Sequence, residues 1–97
     1  MNIKYQQELI SLLTNIKNIK LMNEFIKDIL TPTEFEEIII RWQIIKQLSK
    51  GVSQRKIATK LGVSIATITR GSRELRDKKG GFWKVLKMKN NLCKKLI

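Results

Sequence analysis

The chain has no histidine, one cysteine (Cys93) and one proline (Pro32), and it sets only eight acidic residues against twenty basic ones over 97 positions. Without imidazole the commonest general base is missing, Cys93 has no evident activating partner, and no carboxylate pair is set out for acid-base work. An enzyme is therefore not expected, nor is a metal site. A lone cysteine cannot close an intramolecular disulfide. There is no cleavable apolar leader and no uninterrupted apolar run of the roughly 18 residues that a membrane span requires. These absences point to a reducing cytoplasm and away from a membrane partner.

The net charge is +12, and its placement is more informative than its size. Residues 1 to 48 carry six basic and six acidic side chains, whereas residues 49 to 97 hold fourteen basic residues against only Glu74 and Asp77. A neutral first half suits packing, and a strongly basic second half suits a polyanion. A chain this short also buries only a modest fraction of its surface alone, which a core shared with a second copy would relieve.

Leu30-Thr31-Pro32-Thr33-Glu34-Phe35 reads as a complete helix start. Thr31 is the expected N-cap and Pro32 takes the first helical position, where no donor is needed. Glu34 stands where a capping-box partner belongs, and Leu30 and Phe35 are placed for a hydrophobic staple. Phe35, Ile38, Ile39, Trp42, Ile45 and Leu48 follow at helical spacing and Gly51 is a natural stop, so a long helix is predicted over 32 to 50. Upstream, Ile3, Leu9, Ile10, Leu12, Leu13, Ile16 and Ile19 describe one helix, and Leu21, Met22, Phe25, Ile26 and Ile29 a second, with a break somewhere from Lys17 to Lys20. Downstream, two short helices are predicted at about Gln54 to Leu61 and Ile65 to Arg76. Asp77 to Gly81 reads as a flexible turn, and a last basic helix begins at Phe82. No strand pattern or internal repeat competes with an all-α reading.

The two short helices have the residue types of a helix-turn-helix. Ser53 caps the first, Ala58 is a small contact residue, Gly62 supplies the turn four residues later, and Ser64 caps the second. Ile57, Leu61, Val63, Ile65, Ile68 and Leu75 form the apolar side. At 100° per residue, Ala66, Thr69, Arg70 and Arg73 project from another face of the second helix, which suits insertion in a major groove. Arg55 and Lys56 are placed to reach the flanking backbone or a guanine. The competing reading of these residues is a helical hairpin with a solvated basic face.

DNA binding leaves two residues unexplained. Arg41 lies along an apolar flank with Ile38, Ile45 and Leu48, where a guanidinium needs an anion or else packs its stem and reaches Glu37 or water. Gly71 costs about 1 kcal/mol in a helix interior. It shares a stripe with Thr67 and Glu74 that is expected to face neither core nor DNA, and its missing side chain would admit something flat.

Leu30-Thr31-Pro32, Arg41, and the run Ser53-Gln54-Arg55 to Leu61-Gly62-Val63-Ser64-Ile65-Ala66-Thr67-Ile68-Thr69-Arg70-Gly71-Ser72 closely resemble the Trp repressor family. The likeness covers about residues 25 to 76 and is densest from Ser64 to Ser72. It implies a six-helix, all-α, intertwined homodimer: a single domain with dimerisation helices over 1–50, the helix-turn-helix over 53–76 and a C-terminal basic helix over 82–97. It further implies a transcriptional repressor of palindromic operator DNA that uses L-tryptophan as corepressor and no other cofactor. By that resemblance Arg41 and Arg70 sandwich the indole and help to bind the carboxylate, with Thr31 near it. Backbone around Asp28 and Leu30 accepts from the ammonium, and Thr67 and Gly71 line the slot. Arg55 maps to a direct base contact, and Ile65, Ala66, Thr67 and Thr69, beside the cap Ser64, map to base readout. Gln54 and Arg70 map to backbone contacts, with Lys56 and Arg73 adding charge.

The chain departs from the best-known members at three places. The turn Lys50-Gly51-Val52-Ser53 is one residue shorter, and Ala58 replaces a phosphate-contacting lysine. Glu74 replaces a serine that helps to hold the ligand ammonium. A carboxylate there would either strengthen that contact by charge or pair with Arg70 and empty the site. A relative that binds DNA constitutively, or senses another indole or amino acid, is the alternative.

Overall fold

The computed structural model describes residues 2–96, with side chains through Met88. Six helices follow in order: α1 (Ile3–Asn15), α2 (Ile19–Ile29), α3 (Pro32–Ser49), α4 (Gln54–Leu61), α5 (Ile65–Glu74) and α6 (Gly81–Leu96). No strand occurs among the described residues, as the all-α reading requires. None of the described helices is long and apolar enough to cross a membrane. The basic helix predicted from Phe82 starts one residue earlier, and its side chains beyond Met88, including Cys93, lie outside the described residues.

The chain forms two compact units, Met1–Glu37 and Ile38–Ile97. In the first, Asn2 caps α1 by accepting the Lys4 N–H at 2.8 Å, and Asn18 caps α2 by accepting the Leu21 N–H at 3.1 Å. The break predicted from Lys17 to Lys20 thus centres on Ile16 to Asn18, and Ile19 opens the second helix instead of closing the first. The predicted capping box is present and reciprocal: the Thr31 N–H donates to Glu34 Oε1 at 2.9 Å, and the Glu34 N–H donates to Thr31 Oγ1 at 3.1 Å. The bond from the Thr31 backbone, followed by that with its side chain, holds the Glu34 carboxyl below the usual carboxylate range. Neither α1 nor α2 buries a single residue, and Ile3, Tyr5, Ile10 and Ile19 are each more than half exposed. Where the two helices meet, Ile16, Ile19, Met22, Ile26 and Phe35 line an open apolar groove.

The second unit has a closed core in two parts. Ile44, Ile57 and Ile68 join α3, α4 and α5, and are packed by Ile40, Leu48, Val52, Ala58, Leu61 and Val63. Ile45, Leu75 and Leu86 join α3, the end of α5 and α6, with Trp42, Phe82 and Trp83 against them. Adjacent positions Ile44 and Ile45 are both buried because each feeds a different cluster, whereas Ile38 and Ile39 of the predicted apolar face stay about half exposed. The helix α3 ends at Ser49 in a Schellman closure: the Val52 N–H donates to Gln47 O at 3.1 Å and the Gly51 N–H to Leu48 O at 3.0 Å, with Gly51 at φ +83°. The short turn before Ser53 is therefore a fully hydrogen-bonded helix stop.

Candidate nucleic-acid interface

Hydroxyl caps and a glycine stop set the angle between α4 and α5. Ser53 Oγ accepts the Lys56 N–H at 3.2 Å and Ser64 Oγ accepts the Thr67 N–H at 3.2 Å, so each helix begins where its serine predicts. Between them Gly62 takes the left-handed conformation, φ +68° and ψ +35°, and the N–H groups of Gly62 and Val63 both donate to Ala58 O. Only glycine adopts that backbone at no steric cost. Ile57 and Ile68, fully buried, hold the pair onto α3.

Most of the residues predicted to meet DNA have exposed side chains. Arg55, Lys56, Ser64, Ala66, Thr67, Arg70 and Arg73 are exposed, and Gln54 and Thr69 are half-buried. Thr69 Oγ1 lies 3.0 Å from Ile65 O, to which it donates, and 3.4 Å from Gln54 Oε1, so the first residue of α4 meets the middle of α5. Ile65, expected on the apolar side, is 47 % exposed. It is the first residue of α5, and the core begins one turn later at Ile68.

Of the predicted ligand residues, Asp28, Leu30 and Thr31 lie in the first unit, and Arg41, Thr67, Arg70, Gly71 and Glu74 in the second. Arg41 is exposed, so its head reaches water. Thr67 Oγ1 is 2.9 Å from Ser64 Oγ and belongs to the cap of α5. Glu74 is exposed and ends α5. Gly71 departs from expectation: it is buried and faces the core. A Cβ there would stand 3.1 Å from Ile44 Cγ2 and 3.4 Å from Ile45 Cδ1. The missing side chain lets α5 approach α3 closely, which accounts for a helical glycine by packing alone.

Trp83 is a structural residue that its sequence context does not single out. Its indole N–H donates to Leu75 O at 2.8 Å, satisfying one of the last carbonyls of α5, and the Lys78 ammonium sits 4.3 Å over its ring. With Leu75 O so engaged and the Arg76 N–H turned to Arg73 O, α5 ends at Glu74, two residues before the predicted Arg76. A tryptophan eight residues beyond a leucine carries no pattern that announces this contact. Nor is the turn at Asp77 to Gly81 a free one: Asp77 Oδ1 accepts the Lys79 N–H and Asp77 O the Gly80 N–H, each at 3.0 Å. Among the described residues no cluster of His, Cys, Asp or Glu could hold a metal ion.

The family model described as Trp repressor protein matches residues 4–90. The chain belongs to the Trp repressor family. A Trp operon repressor homolog of Vibrio vulnificus is 41% identical over 73 residues, covering 74% of this chain and 72% of the relative. Homologs of the same description from Vibrio campbellii and Photobacterium profundum are 53% identical over 51 residues and 52% identical over 52 residues. These alignments cover 52% of this chain and 51% of the first relative, and 53% of this chain and 50% of the second. Trp repressor proteins are transcription regulators and not enzymes. The six-helix, all-α architecture is that of the Trp repressor fold.

Proposed function

We propose that this Trp repressor family member is a cytoplasmic, homodimeric repressor that binds a palindromic operator through α4 and α5 and takes L-tryptophan as corepressor. The observation that carries the DNA reading is the division of α5: Ile68 and Gly71 are buried, while Ile65, Ala66, Thr67, Arg70 and Arg73 are exposed. Small side chains at the N-terminal end of α5 suit base edges in a major groove, and the arginines further along suit phosphate. Arg55 would read a base, and Gln54, Lys56 and Ser64 would help to seat the helix pair. Thr69, held to Ile65 O, presents a hydroxyl of fixed orientation.

Homodimer formation through residues 1–50 is supported by the absence of any buried residue in α1 and α2. A second copy would cover their apolar faces and space two copies of α5 for successive major grooves, about 34 Å apart. L-tryptophan suits the chemistry of the residues assigned to it. Arg41 and Arg70 offer guanidinium planes for the indole and charge for the carboxylate, Thr31 a hydroxyl, and the carbonyls near Asp28 and Leu30 acceptors for the ammonium. Thr67, Gly71 and Glu74 lie along the same helix. Tighter binding to the DNA-competent arrangement would shift the population towards it.

One observation favours constitutive DNA binding as a second reading. The cradle at Gly71 is already met by Ile44 and Ile45, so the glycine does not need a ligand to explain it. A mobility-shift titration on a palindromic operator with and without L-tryptophan, joined to calorimetry, separates the two. Heat on ligand addition and tighter operator binding are expected, both lost in Arg41→Ala with residual DNA binding retained. No heat at millimolar ligand with unchanged operator binding would establish the constitutive form.

A further inference from the structure

We propose that Arg76, Lys78, Lys79, Lys84 and Lys87 form a second, sequence-independent contact with the DNA backbone, flanking the bases that α5 reads. This rests on the DNA-binding reading of α4 and α5 and extends the contact beyond them. All five side chains are exposed. Past Asp77 the chain contains no acidic residue at all. Asp77 itself is occupied within the turn, its carboxylate accepting the Lys79 N–H and its carbonyl the Gly80 N–H. The five cations therefore stand against only two nearby carboxylates in sequence, Glu74 and Asp77, and the surface keeps a net positive charge.

What distinguishes this surface from a solvated lysine tail is its attachment to the reading helix. The indole N–H of Trp83 donates to Leu75 O at 2.8 Å, and Leu75 and Leu86 share one buried cluster with Ile45. The start of α6 is thereby fixed to the end of α5. The Lys78 ammonium, over the Trp83 ring, is carried on that same junction. A duplex seated on α5 would bring its phosphates towards cations carried on a junction fixed to that helix, and neutralising each phosphate releases condensed counterions. An anionic membrane is a poorer fit, because Phe82, Trp83 and Leu86 are consumed in the core. Only Val85 and Met88 remain as exposed large apolar side chains on the described part of α6, too few for an interfacial helix.

The test is the salt dependence of duplex binding by the full chain, measured on an operator duplex and on an unrelated duplex. For Lys84→Gln with Lys87→Gln, log affinity against log salt should become shallower by about 0.9 for each phosphate no longer neutralised, roughly 2 per bound chain, equally on both duplexes. The ratio of operator to unrelated affinity should stay unchanged, and Lys84→Arg with Lys87→Arg should restore the slope. An unaltered slope overturns the proposal, as does a fall in affinity at constant slope or binding that the double glutamine variant loses only on vesicles of anionic phospholipid. A wild-type chain that binds both duplexes equally, with a slope that depends on Lys84 and Lys87, sinks the operator reading and leaves this backbone contact standing.

Discussion

The two units use similar apolar residues to opposite effect. From Ile38 onward, isoleucines at 44, 45, 57 and 68 are almost completely buried, and the helices around them close a core within one chain. Before Glu37, α1 and α2 contain no fully buried residue, although they contain isoleucine and leucine at regular helical spacing. Periodic apolar residues show which face of a helix must be covered, but not which chain covers it. The charge division falls the same way. Residues 1–37 carry four basic and six acidic side chains and leave apolar surface open, whereas residues 38–97, with sixteen basic against two acidic, close a core and turn most of their described cations outward.

The widest test of this contrast is Ile10→Asp on α1. Ile10 is 54 % exposed in the single chain, so the change costs little there. If a second copy covers α1, an unpaired carboxylate enters the interface at a cost of several kcal/mol, roughly a thousandfold in dimer dissociation. Sedimentation should show monomer at concentrations where the wild type is dimeric, and an unshifted profile would place the interface elsewhere. Next in size is Ile68→Ala in the second unit. Deleting this fully buried side chain should cost about 2 to 5 kcal/mol in denaturant unfolding and weaken operator binding with it. A loss below about 1 kcal/mol would mean that the core is not closed within one chain.

A smaller effect is expected of Gly71→Ala. Alanine gains about 1 kcal/mol of helix propensity, but its Cβ would stand 3.1 Å from Ile44 Cγ2 inside a packed cluster. Overpacking of about 1 to 3 kcal/mol should win, for a net loss of about 1 kcal/mol. A more stable variant would show that α3 gives way and that the glycine serves something other than packing. The smallest effect belongs to Glu34→Gln in the first unit. The folded Glu34 carboxyl titrates below its ordinary value of 4.5, so its stabilisation is complete above that pH and is lost as pH falls through the lower folded value. The stability difference between wild type and Glu34→Gln should therefore close on acidification below pH 4.5. A difference that persists into strong acid would remove Glu34 from the capping box.

Local signals are legible because local chemistry enforces them. The Thr31 and Glu34 box, the serine caps at 53 and 64, and the glycine at 62 each satisfy backbone groups within a few residues, and each stands where its residue type announces it. The exposed positions of α5 likewise follow from helical periodicity anchored by Ile68. Expectation and structure part where two helices meet. Ile44 is absent from the predicted apolar face yet buried, Ile65 is predicted on the apolar side yet exposed, and Gly71 is predicted on an open stripe yet faces the core. Which sides of α3 and α5 touch depends on how those helices cross, and periodicity fixes a face only to within about a residue.

The sequence by itself determined the helix order, the capped start of α3, the glycine stops and the concentration of positive charge in the second half, since each depends on neighbours along the chain or on composition. Only the tertiary structure decided that Gly71 packs on Ile44 and Ile45, that the Trp83 indole closes the end of α5, and that α1 and α2 contain no buried residue. Those outcomes depend on groups far apart in the chain, brought together by burial that no local residue pattern specifies.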